Sequence, residues 1–118
     1  MPTTRLRVAR EPALALVVRI FIGSVAERWN MAEPTKEDLR LAASDLFSGA
    51  VEARGDDLVT FELTSEGGAI ELRAEDVVPS AEGTTEDEAS MGRFDLVRAL
   101  FPDVEIGETV RIRVPASA

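Results

Sequence analysis

LVTFELTSEGGAIELRAE, residues 58–75, decides how the chain folds. Its first half alternates Phe61 and Leu63 against Glu62 and Thr64, with Leu58 or Val59 joining the apolar side. Its second half alternates Ile70, Leu72 and Ala74 against Glu71, Arg73 and Glu75. A period of two marks a strand with one buried face. Residues 65–68 (SEGG) separate the two runs and supply the glycines a tight hairpin turn requires. The stretch predicts an antiparallel hairpin whose apolar face needs a cover.

Working outward, residues 3–9 (TTRLRVA) alternate Leu6 and Val8 against Arg5 and Arg7, a short half-buried strand. Glu11 and Pro12 then open a helix that runs to Asn30, with proline in the first turn, where a missing N–H costs little. Leu14, Val17, Val18, Phe21, Val25 and Trp29 recur every three or four residues and predict its buried face. Thr35 and Asp38 have the spacing of a capping box and predict the start of a second helix. Its narrow apolar face is Leu39, Ala42, Ala43, Leu46, Ala50 and Ala53, and Gly55 is placed to end it. Beyond the hairpin, residues 77–90 are rich in proline, glycine, serine and acid, and read as a loop. Residues 92–101 predict a short helix with Phe94, Val97, Leu100 and Phe101 clustered, ended by Pro102. A second hairpin turns at Gly107 and Glu108, with Val110, Ile112 and Val114 inward and Arg111 and Arg113 outward. Residues 115–118 are a tail. The order β-α-α-β-β-loop-α-β-β indicates an α+β fold. It predicts a two-layer sandwich: a mixed or antiparallel sheet of about five strands, with three helices on one face. No repeat or domain boundary interrupts residues 1–118, which read as a single domain.

The 118 residues include no cysteine and no histidine, which excludes disulfides, Cys/His zinc sites, thiol nucleophiles and Ser-His-Asp triads. Thirteen basic against 22 acidic residues give a net charge of −9. Direct nucleic-acid binding is not expected of so acidic a chain, whereas a basic protein partner suits it. The apolar run 13–22 is broken by Arg19 and is too short to span a membrane, so the expected location is the cytoplasm.

On the second helix Asp45, Ser48 and Glu52 stand at i, i+3 and i+7 and share a face. Two carboxylates and a hydroxyl one turn apart form either a solvated face or a seat for a divalent ion or a water. Three other features carry less chemistry. Arg54-Gly55-Asp56 spells an adhesion tripeptide inside a helix end, the acidic run 82–88 lacks the oxygen spacing of a calcium loop, and Trp29 reads as core-edge packing.

The phrase LRLAASDLFSGAVEA (39–53) resembles the N-box helix of the Bergerat-fold ATPases, the superfamily of gyrase and histidine-kinase ATP-binding domains. The likeness is strongest to the anti-sigma-factor serine kinases. GRFDLVRALFPDVEIGETVRIRVP (92–115) is similar to that family's closing phrase, so the resemblance covers nearly the whole chain. It implies a histidine-kinase-like ATPase fold, with residues 79–90 as a shortened acidic lid. It places Asp45 where the family has its catalytic Glu, and Gly49 where it has the Asn that holds magnesium. Residues placed toward ATP are Asp76, for adenine, with Gly92, Ser48 and Gly49.

The departures from the pattern share a direction. Gly49 offers magnesium no side-chain oxygen. Val77 and Val78 follow Asp76 where the family has glycine-rich backbone. Phe94 and Asp95 replace a glycine and a leucine at the phosphate-binding helix start, and Glu82, Glu86, Asp87 and Glu88 would repel a triphosphate. The resemblance therefore implies a regulatory protein-binding domain with lost or strongly weakened ATP binding. Such a domain would occlude a sigma factor or an anti-sigma antagonist and form a homodimer through the 3–9 strand. The alternatives are an active ATP- and magnesium-dependent serine/threonine kinase with Asp45 as general base, and a structural or oligomerisation module.

Overall fold

Gly67 and Gly68 take φ angles of 56° and 80°. Two successive positive φ values make the primed turn whose twist matches the strands it joins, and only glycine adopts both without strain. The turn joins β2 (Val59–Glu66) to β3 (Ala69–Glu75) and pairs Glu66 with Ala69 and Phe61 with Ala74. The computed structural model describes residues 2–53, 58–75, 77 and 94–115. The expected loop 79–90, and Asp76, Gly55 and Gly92, lie outside the described residues.

Around this hairpin the sheet completes with β1 (Thr3–Val8), β4 (Glu105–Ile106) and β5 (Thr109–Pro115) in the order β1-β2-β3-β5-β4. All four pairings are antiparallel, which decides between the mixed and antiparallel alternatives. One row of side chains crosses all five strands on the inner face: Leu6, Phe61, Ala74, Val110 and Ile106. A parallel row on the outer face is wholly charged: Arg5, Glu62, Arg73, Arg111 and Glu105. Glu62 receives Arg5 at 2.6 Å and Arg73 at 3.7 Å, so one carboxylate serves two arginines. Leu58 is largely exposed and Val59 fully buried, which settles which of the two begins the apolar face.

The helical layer comprises α1 (Ala15–Arg28), α2 (Glu33–Ala53) and α3 (Asp95–Leu100), with α2 packed against both others. A 3₁₀ turn over Pro12–Leu14 precedes α1. The buried face of α1 is Val18, Ile22 and Ala26, flanked by Phe21, Val25 and Trp29. Val17, expected on that face, is 40 % exposed. The buried face is centred about one residue further along than expected, on Val18, Ile22 and Ala26, which leaves Val17 at its margin. The helix ends in a Schellman motif: Asn30, at φ 56°, donates to the Glu27 carbonyl and Met31 to that of Ala26. Met31 is then buried, and the chain reverses into α2.

Helix α2 starts at Glu33, ahead of the predicted cap, so Thr35 lies inside the first turn. Pro34 suits that turn because its φ is preset and its absent N–H is not needed there. The Lys36 ammonium fixes the corner by donating to Glu27 at 2.6 Å and Glu33 at 2.7 Å. Leu39, Ala42, Ala43, Leu46 and Ala50 are buried as expected, and Phe47, absent from the predicted face, is buried beside Phe61 with ring centroids 6.5 Å apart. Each fully buried Leu or Phe here contributes about 1.5–3 kcal/mol. Near the C-terminus of α2, Arg10 donates to the Ala50 carbonyl at 2.8 Å, a cation at the negative end of the helix.

Lys36 is the only lysine, and its side chain is 10 % exposed and doubly paired. An amine-reactive ester should label it slowly in the native state and rapidly in denaturant, read by peptide mass spectrometry. Equal rates in both conditions would disprove the paired corner.

Candidate functional site

The residues singled out on α2 occupy the flank that faces α3. Asp45 is half-buried, Ser48 and Glu52 are exposed, and Gly49 is buried. Asp45 therefore does not share one solvated surface with Ser48 and Glu52. Its carboxylate accepts a hydrogen bond from the Val97 backbone N–H. Val97 is the third residue of α3, and such N–H groups have no partner inside their own helix. Phe94, at the N-cap position, offers no side-chain cap, so α2 supplies across the interface what α3 lacks locally. The other oxygen of Asp45, Oδ2, is buried without a hydrogen-bond partner among the described residues.

Burial pushes the Asp45 carboxyl above its ordinary value of 3.8. The negative charge of Asp95 raises it further, the Val97 N–H pulls it back, and Glu52 adds a smaller upward push. Ionisation of Asp45 therefore works against folding. The stability its neutral form contributes is complete below the unfolded value and is lost as pH rises through the folded one.

Phe94 sits one helical turn of α2 away, on Gly49. A Cβ built on Gly49 would lie 2.6 Å from the Phe94 Cε1 and 3.0 Å from its Cζ. Only glycine leaves room for the ring. Phe94 is buried and holds φ 64°, ψ 24°, a left-handed conformation that is uncommon for a large side chain. Such a residue costs about 1–2 kcal/mol relative to ordinary backbone, offset here by burial of the ring. Val77, the one described residue between β3 and α3 ahead of Phe94, is fully buried.

Gly49 presents no side-chain oxygen and the Phe94 ring covers it, while the Val97 N–H of α3 meets the Asp45 carboxylate. Among the described residues, no group of three or more acidic side chains could hold a metal ion. Nor is any helix among them long and apolar enough to cross a membrane. Asp76 and Gly92, the other two predicted ATP contacts, lie outside the described residues.

Two contacts of the candidate site are not spelled out by the sequence: the Phe94–Gly49 contact and the Asp45–Val97 bond. The available signal was a bulky Phe at a helix start paired with a Gly in mid-helix, each unusual by itself. No protein-family model matches the chain, and no curated protein matches it significantly.

Helix propensity favours Ala over Gly by about 1 kcal/mol, whereas overpacking costs about 1–3 kcal/mol. Gly49→Ala should therefore destabilise the chain, and the same change should stabilise it when Phe94 is already Ala. Denaturant titrations of the double-mutant cycle measure this, and additive effects would refute the contact. At Asp45, replacement by Asn keeps an acceptor for Val97 and removes the buried charge. Asp45→Asn should equal or exceed the parent in stability at pH 7 and flatten its pH dependence above pH 3.8. Asp45→Ala should lose about 1 kcal/mol, as a lost helix cap does.

Proposed function

We propose that the chain is a regulatory protein-binding domain built on a Bergerat-type, histidine-kinase-like scaffold, resembling anti-sigma factors, whose nucleotide site has been converted into core. It acts in the cytoplasm by occluding a transcription-regulating protein, a sigma factor or an anti-sigma antagonist. The observation that carries this reading is Phe94. It stands where the resembled family has a glycine, it keeps a glycine-like backbone at φ 64°, and its ring fills the space left by Gly49 where the family has magnesium-binding Asn. The scaffold's turn persists while its ligand is displaced. An antiparallel five-stranded sheet with three helices and the order β-α-α-β-β-α-β-β is compatible with this scaffold.

One observation favours a second reading. Asp45 keeps a buried, unpartnered oxygen and a raised pKa, properties suited to a general base. On that reading the chain is an ATP-dependent anti-sigma-factor serine/threonine kinase, and Phe94 must swing off Gly49 before nucleotide enters. The first reading is preferred because a buried carboxylate that caps α3 explains the same raised value without a ligand.

Calorimetric titration with Mg-ATP separates the two. No saturable heat is expected up to millimolar nucleotide. Micromolar binding that Asp76→Asn abolishes would overturn the proposal and favour the kinase reading.

A further inference from the structure

The sheet has two unequal edges. β4, at one side, is only two residues long, which protects an edge. β1, at the other, is six residues long, and no described strand pairs with its outer side. An open edge of this length is a template for another strand. Its outer-face side chains are Thr3, Arg5 and Arg7. Arg5 shares Glu62 with Arg73, and Arg7 is exposed with no ion-pair partner among the described residues. Residues 1–10 contain three arginines and no acidic residue, in a chain of net charge −9.

A second tier lies over this edge. α1 packs on β1, and Leu16, Val17 and Ile20 of α1 are 57, 40 and 57 % exposed. Gly23 turns toward α2, since an added Cβ there would lie 3.4 Å from Arg40 Cδ. At about 100° per residue, Val17 falls on the flank of α1 away from both α2 and the core, whereas Leu16 and Ile20 fall nearer the Gly23 side. A strand added to β1 would continue the inner apolar face with its inward side chains and set its outward side chains beside Arg5 and Arg7.

A second copy of β1 fits this edge poorly. Antiparallel self-pairing that keeps apolar faces together must match odd-numbered residues with odd. Its two longest registers put Arg5 opposite its symmetry mate or opposite Arg7. Like charges directly opposite are destabilising. Inside the sheet the same position is satisfied the other way, with Glu62 opposite Arg5.

We infer that the free edge of β1 receives an extended segment of a partner protein in which acidic residues alternate with apolar ones, adding a sixth strand to the sheet. This deepens the reading of the chain as a protein-binding domain and rests on it. Nucleotide titration tests that reading by itself, and strand addition is tested separately.

The probe is an end-capped, fluorescein-labelled heptapeptide of sequence Thr-Val-Glu-Val-Glu-Val-Thr, titrated against the full chain by anisotropy, with hydrogen exchange mapping the contact. The expected result is saturable binding that protects β1 amides, with the lysine-for-glutamate peptide at least about 10-fold weaker. Arg7→Glu, at an exposed position without an ion pair, should weaken the glutamate peptide by about 3- to 10-fold and strengthen the lysine peptide. No binding, equal binding of the two peptides, or a free chain that sediments as a dimer with β1 amides already protected would each overturn the proposal. The last result would give the edge to a second copy.

Discussion

The positive φ angles of Gly67 and Gly68 set the register of β2 against β3, and the rest of the molecule is built on that register. In a strand, a slip of one residue carries every side chain to the opposite face. Were β3 to slip against β2 by one, Glu71 and Arg73 would enter the layer beneath the helices while Ile70 and Leu72 met water. The two-residue turn forbids this by leaving one low-energy path for the chain between Glu66 and Ala69. β5 pairs with β3 and β1 with β2, so the same register extends to every strand except β4, which takes it from β5. The charged outer row and the apolar inner row are two consequences of one turn.

Such local rules are what a sequence displays. Both hairpins, the three helices and the inner-face residues of β2, β3 and β5 were legible because period-two alternation and turn chemistry operate over a few residues. The errors arose where tertiary contact outweighs local pattern. Thr35 has the spacing of a cap, yet Pro34 and the pairing of Lys36 with Glu27 and Glu33 start the helix earlier. Val17 has helical spacing, yet α1 packs on Val18, Ile22 and Ala26 and leaves it toward solvent. Phe47 widens a face read as small because its neighbour Phe61 lies on a strand 14 residues further along.

The candidate site was only half legible for a related reason. Asp45, Ser48 and Glu52 share a helical spacing, but spacing cannot reveal that α3 arrives at this flank and engages Asp45 through Val97. Nor can it show that Gly49 and Phe94, 45 residues apart, form one packed unit. Each of the two is unfavourable when considered locally. Glycine in mid-helix costs about 1 kcal/mol, and a left-handed Phe costs a similar amount. Together they bury an aromatic ring without leaving a void. Two local conflicts are thus resolved by a single tertiary contact.

At the α2–α3 flank the Asp45 carboxylate meets an orphan N–H of α3 and the Phe94 ring covers Gly49. The β1 edge differs: among the described residues no strand pairs with its outer side and Arg7 has no ion-pair partner. Packing accounts for the Phe94–Gly49 contact, whereas nothing in the folding of the described residues calls for the exposed Arg7. A surface whose composition folding does not require is where a partner is sought, which is the ground for proposing the sheet edge, and not the α2–α3 flank, as the docking surface.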